Sequence, residues 1–116
     1  MSVSRAYEMM IIFEGDVPDV DVQKHLSSVG DLVVEGGGKV VTTDNWGKRR
    51  FAYEINHKWE GTYVVLEILT EGRDLHEVER TLRLADAVVR HKVLRLPDSE
   101  AARRGMSMDA PVEGAA

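Results

Sequence analysis

Polar and apolar side chains alternate along several segments of the chain, and a period of two residues predicts β-strands. The first of these segments contains a run from Tyr7 to Phe13 in which every second residue lies on one apolar face. A longer segment bends near Gly47, and Pro97 ends the last one. The predicted strands span 5–13, 39–55, 62–69 and 88–96.

Two segments between these strands carry apolar residues at helical spacing instead. The first helix is predicted from the recurrence of Val22, Leu26, Val29 and Val33. The glycine triplet 36–38 ends it, because glycine readily adopts the left-handed conformation of a helix end. Asp74 and Glu77 form a capping-box pattern that opens the second helix. The apolar face of this second helix consists of Leu75, Val78 and Leu82.

The elements therefore follow the order strand, helix, strand, and this order occurs twice. Such a chain predicts an α+β fold of the ferredoxin-like type, βαββαβ, with a four-stranded antiparallel sheet and two helices packed on one face. The opposite face of the sheet is predicted to be uncovered. We expect this domain to span 1–97 and 98–116 to form a flexible C-terminal tail, since the tail lacks periodicity.

The composition is that of a soluble globular domain, with 43% hydrophobic and 30% charged residues. No apolar run is long enough to span a bilayer, and no secretory signal pattern is present, so we expect a cytoplasmic protein. The chain contains no cysteine, which excludes disulfides and thiolate metal sites. Its four histidines fall on different elements. We therefore expect neither a metal site nor a cofactor.

Charge is unevenly distributed along the chain, whose net charge is −5. Residues 1–38 carry two cations and seven acids, whereas 39–61 carry five cations and three acids. Residues 83–96 carry four cations and one acid. The run Lys48-Arg49-Arg50 opens an alternating stretch and has two interpretations. Its cations either keep an edge strand from pairing with another sheet, or neutralise the phosphates of a nucleic acid.

Four motifs occur in an order and at a spacing typical of one protein family. They are Arg5-Ala6-Tyr7-Glu8, Gly47-Lys48-Arg49-Arg50-Phe51-Ala52-Tyr53-Glu54-Ile55, Gly61, and Leu82-Arg83-Leu84-Ala85-Asp86-Ala87-Val88-Val89-Arg90. Over about 5–96 the sequence resembles the bacterial small-subunit ribosomal protein six family. The resemblance implies a ferredoxin-like structural protein of the ribosome and not an enzyme. It further implies a ribosome-associated protein that binds 16S ribosomal RNA together with ribosomal protein eighteen during subunit assembly.

Basic residues of the family motifs and of the second and fourth strand regions are the predicted RNA contacts. They are Arg5, Lys48, Arg49, Arg50, Lys58, Arg83, Arg90 and Lys92. Such contacts grip phosphates and position the protein, so we expect specificity to come from RNA shape and from the partner protein. Tyr63 and Val65, on the outer face of the third strand, are the predicted contacts with that partner. At Ala85 and Val89 some relatives carry arginine, which implies fewer phosphate contacts there.

Two other functions share the predicted topology. A stand-alone RNA-recognition motif would stack single-stranded bases on aromatic residues of the central strands, and Tyr63 is the one suitable residue on the outer face. An acylphosphatase-like enzyme is disfavoured, because the loop 14–19 is acidic and Pro18 has no N–H to offer an anion. Trp46 and Trp59 flank the hairpin of the second strand, where we expect them to shield its core or to face a partner.

Overall fold

The computed structural model describes residues 4–55 and 57–108, which form four strands and three helices. In chain order these are β1 (Ser4–Glu14), α1 (Asp19–Glu35), β2 (Lys39–Ile55), β3 (Lys58–Glu71), α2 (His76–Leu84), β4 (Val88–Leu96) and α3 (Asp98–Arg103). The strands form one antiparallel sheet in the order β2-β3-β1-β4. The predicted ferredoxin-like arrangement is therefore confirmed. Among the described residues, no helix has the length and apolar character needed to cross a membrane.

The main core lies between the sheet and the two helices α1 and α2. On β1, the alternate residues Met9, Ile11 and Phe13 are completely buried, as the period of two predicts. The helices and the turn before α2 contribute Val22, Val29, Val33, Leu75, Val78 and Leu82. Burying one such side chain contributes about 1.5–3 kcal/mol. This layer therefore supplies most of the driving force for folding.

Helix α2 begins later than the sequence predicts. Its first residue is His76, and Leu75 occupies the N-cap position without a side-chain cap. Asp74 Oδ1 accepts a hydrogen bond from the backbone N–H of His76 at 3.1 Å. The predicted capping box of Asp74 and Glu77 is therefore wrong, because the Asp74 carboxylate serves a local turn that precedes the helix.

An irregularity in β4 determines which way His91 faces. The pairing of β1 with β4 shifts register between Ile12 and Phe13, which leaves Val89 as an extra residue on β4. A bulge of this kind resets the alternation of side chains. Val89 packs on the face away from α1 and α2, whereas His91 Nε2 lies 3.3 Å from Glu79 Oε1 of α2. Strict alternation would have placed these two β4 residues on the same face.

Strands β2 and β3 continue past the end of β1. Glu14, the last residue of β1, pairs with Gly61 of β3. Residues 49–55 and 58–60, called here the hairpin extension, lie at or beyond this last row of the sheet, and 58–60 have no partner in β1. Strand β3 begins four residues earlier than predicted, because pairing with β2 continues into the segment that we expected to be a loop.

The hairpin extension folds over the face of the sheet opposite α1 and α2, called here the open face. Phe51 and Ile55 are buried there against Ile12 of β1. A Cβ atom at Gly61 would lie 2.6 Å from the carbonyl oxygen of Phe13 and 2.7 Å from Ile12 Cγ2. Only glycine permits so close an approach of backbone to backbone. This end of the open face is therefore covered, contrary to the prediction from sequence.

Helix α3 covers the other end of the open face. The predicted flexible tail differs here from the structure, because residues 98–108 form α3 and the turn that follows it. Ala101 and Met106 are buried against Ala6, Val41, Leu69 and Leu96. Two buried side chains in so short a segment produce no detectable periodicity. Residues 109–116 of the predicted tail lie outside the described residues.

Arg104, which follows α3, binds one carboxylate of that helix and two carboxylates of the sheet. Its Nε donates to Glu100 Oε2 at 2.7 Å, and its Nη1 donates to Glu8 Oε1 at 3.2 Å and to Glu67 Oε2 at 3.0 Å. Glu67 also accepts a hydrogen bond from Thr42 Oγ1 at 2.9 Å. Glu8 and Glu67 are directly paired across β1 and β3, an arrangement in which like charges repel. The guanidinium of Arg104, which bonds to both carboxylates, offsets this repulsion.

Removing residues 98–116 should lower the free energy of unfolding by about 2 kcal/mol, because the apolar residues of the sheet that pack on Ala101 and Met106 become exposed. Glu8 and Glu67 would also face each other without Arg104. Denaturant unfolding followed by circular dichroism measures the loss. A chain ending at Met108 keeps α3 and is the matched control. Equal stability of the two shortened chains would contradict the docking of α3.

The ion pairs that Glu100 forms at the end of α3 should weaken in acid. Hydrogen bonds from Arg103 and then from Arg104 lower the pKa of Glu100 from 4.5 to about 2. A carboxyl group whose pKa is lowered by folding contributes stability that is present above pH 4.5 and is lost as the pH falls towards 2. Thermal denaturation should therefore distinguish the native chain from Glu100→Gln near neutral pH but no longer near pH 2. A difference that stays constant over this range would contradict the ion pairs of α3.

Gly61→Ala should destabilise the protein by about 1–3 kcal/mol, as overpacking does in other cores. The added methyl group would collide with the Phe13 carbonyl oxygen. Gly30→Ala is the matched control, because no neighbouring group lies within 4 Å of a Cβ atom there. In a helix, alanine is favoured over glycine by about 1 kcal/mol. The two variants should therefore shift chemical denaturation in opposite directions, and a neutral Gly61→Ala would refute the close approach at β1.

Candidate nucleic-acid interface

The register of the sheet arranges residues of all four strands in rows across the open face. From β2 to β4, one row consists of Gly47, Tyr63, Ile12 and Arg90, and the next of Asp44, Val65, Met10 and Lys92. A third row consists of Thr42, Glu67, Glu8 and Leu94. The open face is therefore cationic towards the hairpin extension and acidic towards α3.

Three consecutive cations lie at the base of the hairpin extension, on the edge strand β2. Lys48 Nζ lies 3.8 Å from Glu60 Oε1, and the two side chains are 54% and 55% exposed, so this pair contributes little. The guanidinium carbon of Arg50 lies 5.8 Å from the ring centroid of Trp59, within the range of a cation–π interaction. Arg49 is exposed and forms no ion pair with any described residue.

Two further cations, Arg90 and Lys92, are exposed on the opposite edge strand, β4. Neither of them forms an ion pair within residues 4–55 and 57–108. The hairpin extension reaches towards them, because Val89 packs on the same apolar cluster as Phe51 and Ile55. Cations of both edge strands thus lie at the end of the sheet that carries this apolar cluster, and cations that lack internal partners attract a polyanion.

The remaining predicted RNA contacts differ in how close they lie to this cluster. Lys58 begins β3 within the hairpin extension. Arg83 lies in the last turn of α2, at the same end of the sheet but on the helix side. Arg5 pairs with Thr70 at the opposite end of β1, about 30 Å along the strand from the hairpin extension. Six cations therefore form what we call the basic rim: Lys48, Arg49, Arg50, Lys58, Arg90 and Lys92.

The two residues predicted to contact a partner protein are partly covered. Tyr63 stacks on Trp46, with ring centroids 6.3 Å apart and planes 3° apart, and Phe51 lies 6.2 Å away on a tilted plane. Val65 is only 9% exposed. Both residues therefore form the floor of the open face. Leu94, in the neighbouring row of β4, is 51% exposed and is the more accessible apolar side chain.

Three exposed aromatic residues of β2 and β3 were not predicted as site residues. Trp46, Tyr53 and Trp59 are 43%, 62% and 48% exposed. The core of the hairpin extension is formed by Phe51 and Ile55 instead. The pairing of β2 with β3 shifts register three times, and each shift breaks the alternation from which the facing of a side chain is predicted. No sequence signal therefore separates the exposed rings from the buried one.

Comparison with known proteins assigns the chain to a family. The family model for Ribosomal protein S6 matches residues 6–95. The small ribosomal subunit protein bS6 of Corynebacterium efficiens is 44% identical over 92 residues, which cover 79% of this chain and 97% of that protein. The bS6 protein of Leifsonia xyli subsp. xyli is 39% identical over 93 residues, covering 80% of this chain and 73% of the relative.

A solved structure supports the same assignment. The crystal structure of 30S ribosomal protein S6 from Thermotoga maritima superimposes with a TM-score of 0.79 at 31% sequence identity, covering 89% of this chain and 97% of that one. Both the relatives and the fold are those of a ribosomal structural protein and not of an enzyme. With its family match extending across α1, α2 and nearly all of the sheet, the chain belongs to the ribosomal protein S6 family of the small ribosomal subunit.

Proposed function

We propose that this chain binds 16S ribosomal RNA together with ribosomal protein eighteen while the small subunit assembles in the bacterial cytoplasm. Membership of the family makes it a small-subunit ribosomal protein. The basic rim is the observation that carries the finer proposal. Its cations lie at one end of the sheet, on both edge strands and on β3, and Arg49, Arg90 and Lys92 lack ion-pair partners among the described residues.

The basic rim would bind phosphate groups and would not read bases by hydrogen bonds. Arginine offers a phosphate two parallel hydrogen bonds, whereas lysine offers a point charge. Such contacts fix the orientation of the protein on the RNA and carry little sequence information. Arg83, at the same end of the molecule, extends the proposed interface towards the helix side. Arg5 lies at the far end of β1 and is not part of it.

A weak affinity of the isolated chain for RNA follows from its overall charge. The net charge is −5, and 1–38, which include α1, carry seven acids. Long-range repulsion of RNA by this negative charge opposes the local attraction of the basic rim. A second protein that contacts both the chain and the RNA offsets this repulsion. Ribosomal protein eighteen is proposed for that role.

The open face between the hairpin extension and α3 is the proposed docking surface for the partner protein. Tyr63 and Val65 form its floor, and Leu94 supplies an exposed apolar side chain beside them. Interfaces of this kind have an apolar centre with a polar rim. We propose that residues 1–97 contain the RNA-binding domain and that α3 forms one border of the partner surface.

Arg49→Glu should weaken binding of 16S ribosomal RNA about 10- to 100-fold in the presence of ribosomal protein eighteen, because a charge-assisted contact to phosphate becomes a repulsion. Arg95→Glu is the matched control. It makes the same change of charge on β4, where Arg95 is exposed and pairs with Tyr7 away from the hairpin extension. Pull-down of labelled RNA across a series of salt concentrations measures both variants.

The same pull-down, performed with and without ribosomal protein eighteen, separates the candidate functions. Binding that requires the pair of proteins supports the proposal. Tight binding by this chain alone would instead favour the RNA-recognition-motif alternative. Equal binding by Arg49→Glu and Arg95→Glu would show that the basic rim does not carry the interaction.

A further inference from the structure

Strongly exposed aromatic side chains of the described residues are confined to one part of the molecule. The three that are more than 40% exposed, Trp46, Tyr53 and Trp59, all lie on β2 or at the start of β3. An aromatic ring left in water forgoes the stabilisation that burial provides. A cluster of such rings beside unpaired cations therefore indicates a binding surface.

Trp59 differs from Trp46 in the contacts that its ring makes within the protein. Trp46 lies parallel to Tyr63, and its indole N–H donates to Asp44 Oδ2 at 3.0 Å. Trp59 makes no contact with another aromatic ring in the described part of the chain. Its neighbour is the guanidinium of Arg50, 5.8 Å from the ring centroid. That guanidinium can still bind a phosphate, while the indole keeps exposed surface for another flat group.

We propose that Trp59 stacks on an unpaired nucleobase of the bound RNA, while Arg50 holds a neighbouring phosphate. The inference rests on the proposed function, because it requires RNA on the basic rim. Loops and bulges of RNA present unstacked bases, which proteins commonly hold against aromatic rings or guanidinium planes. Stacking uses the flat face that all bases share. The site should therefore select unpaired over paired nucleotides without selecting one base.

Local charge favours RNA over a protein surface as the occupant of this site. Residues 48–60 contain the cations Lys48, Arg49, Arg50 and Lys58 but only two acids. An apolar protein surface packed on Trp59 would have to desolvate these cations without pairing them, which is costly. A nucleotide supplies a flat base for the ring and a phosphate for the adjacent guanidinium in one group.

The test measures how the affinity for 16S ribosomal RNA depends on salt, with the full chain and ribosomal protein eighteen both present. Trp59→Ala should weaken binding about 5- to 100-fold, the usual range for loss of one stacked base. It should leave the slope of log K against log salt unchanged, because no ionic contact is lost. Arg49→Gln should instead reduce that slope by about 0.7–0.9. Trp59→Phe keeps a ring and should restore most of the affinity.

Matched measurements distinguish the failure of this inference from the failure of the proposed function. Val34→Ala truncates another exposed apolar residue, 64% exposed on α1, and should bind RNA normally. If Trp59→Ala behaves like Val34→Ala while Arg49→Gln weakens binding, the stacking inference is wrong and the proposed function stands. If Trp59→Ala weakens binding to ribosomal protein eighteen in calorimetry without RNA, the ring contacts protein and the inference is again wrong. If the unaltered pair of proteins binds no RNA, both proposals fail.

Discussion

The central position of β1 is the constraint on which the other features depend, because this strand is buried on both faces. Met9, Ile11 and Phe13 face α1 and α2, whereas Ala6 and Ile12 are buried on the open face. The two helices of a ferredoxin-like fold cover only one side of the sheet. The second cover is built from two separate pieces, the hairpin extension at one end and α3 at the other.

This divided cover explains the distribution of charge on the open face. Glu8 and Glu67 lie in adjacent strands beside α3, where Arg104 joins them to Glu100. At that end, cations and carboxylates neutralise one another within the chain. At the other end Arg49, together with Arg90 and Lys92 of β4, has no such partner among the described residues. One half of the face therefore stabilises the fold, while the other half presents cations that no described carboxylate neutralises.

The strands and the core were predictable from sequence because they depend on regular spacing. Strands β2 and β4 have the predicted bounds, and the alternate residues of β1 form the predicted core. The candidate site was predictable only in part. Consecutive Lys48, Arg49 and Arg50 necessarily lie together, but Arg5 matched the same family pattern and lies at the far end of the sheet. A family pattern lists residues along the chain. It does not show which of them lie at the same end of the folded sheet.

The sequence by itself determined the order of the four strands and of α1 and α2, the apolar faces of β1, α1 and α2, and the family, since all of these depend on residue types and their local spacing. Only the tertiary structure decided how the open face is covered. Arg104 contacts carboxylates 96 and 37 residues away along the chain, and Gly61 matters because the backbone of β1 passes within reach of its missing side chain. Val89 changes face through a bulge that depends on its pairing with β1. Contacts between distant segments exist only once the sheet has formed, so no local pattern records them.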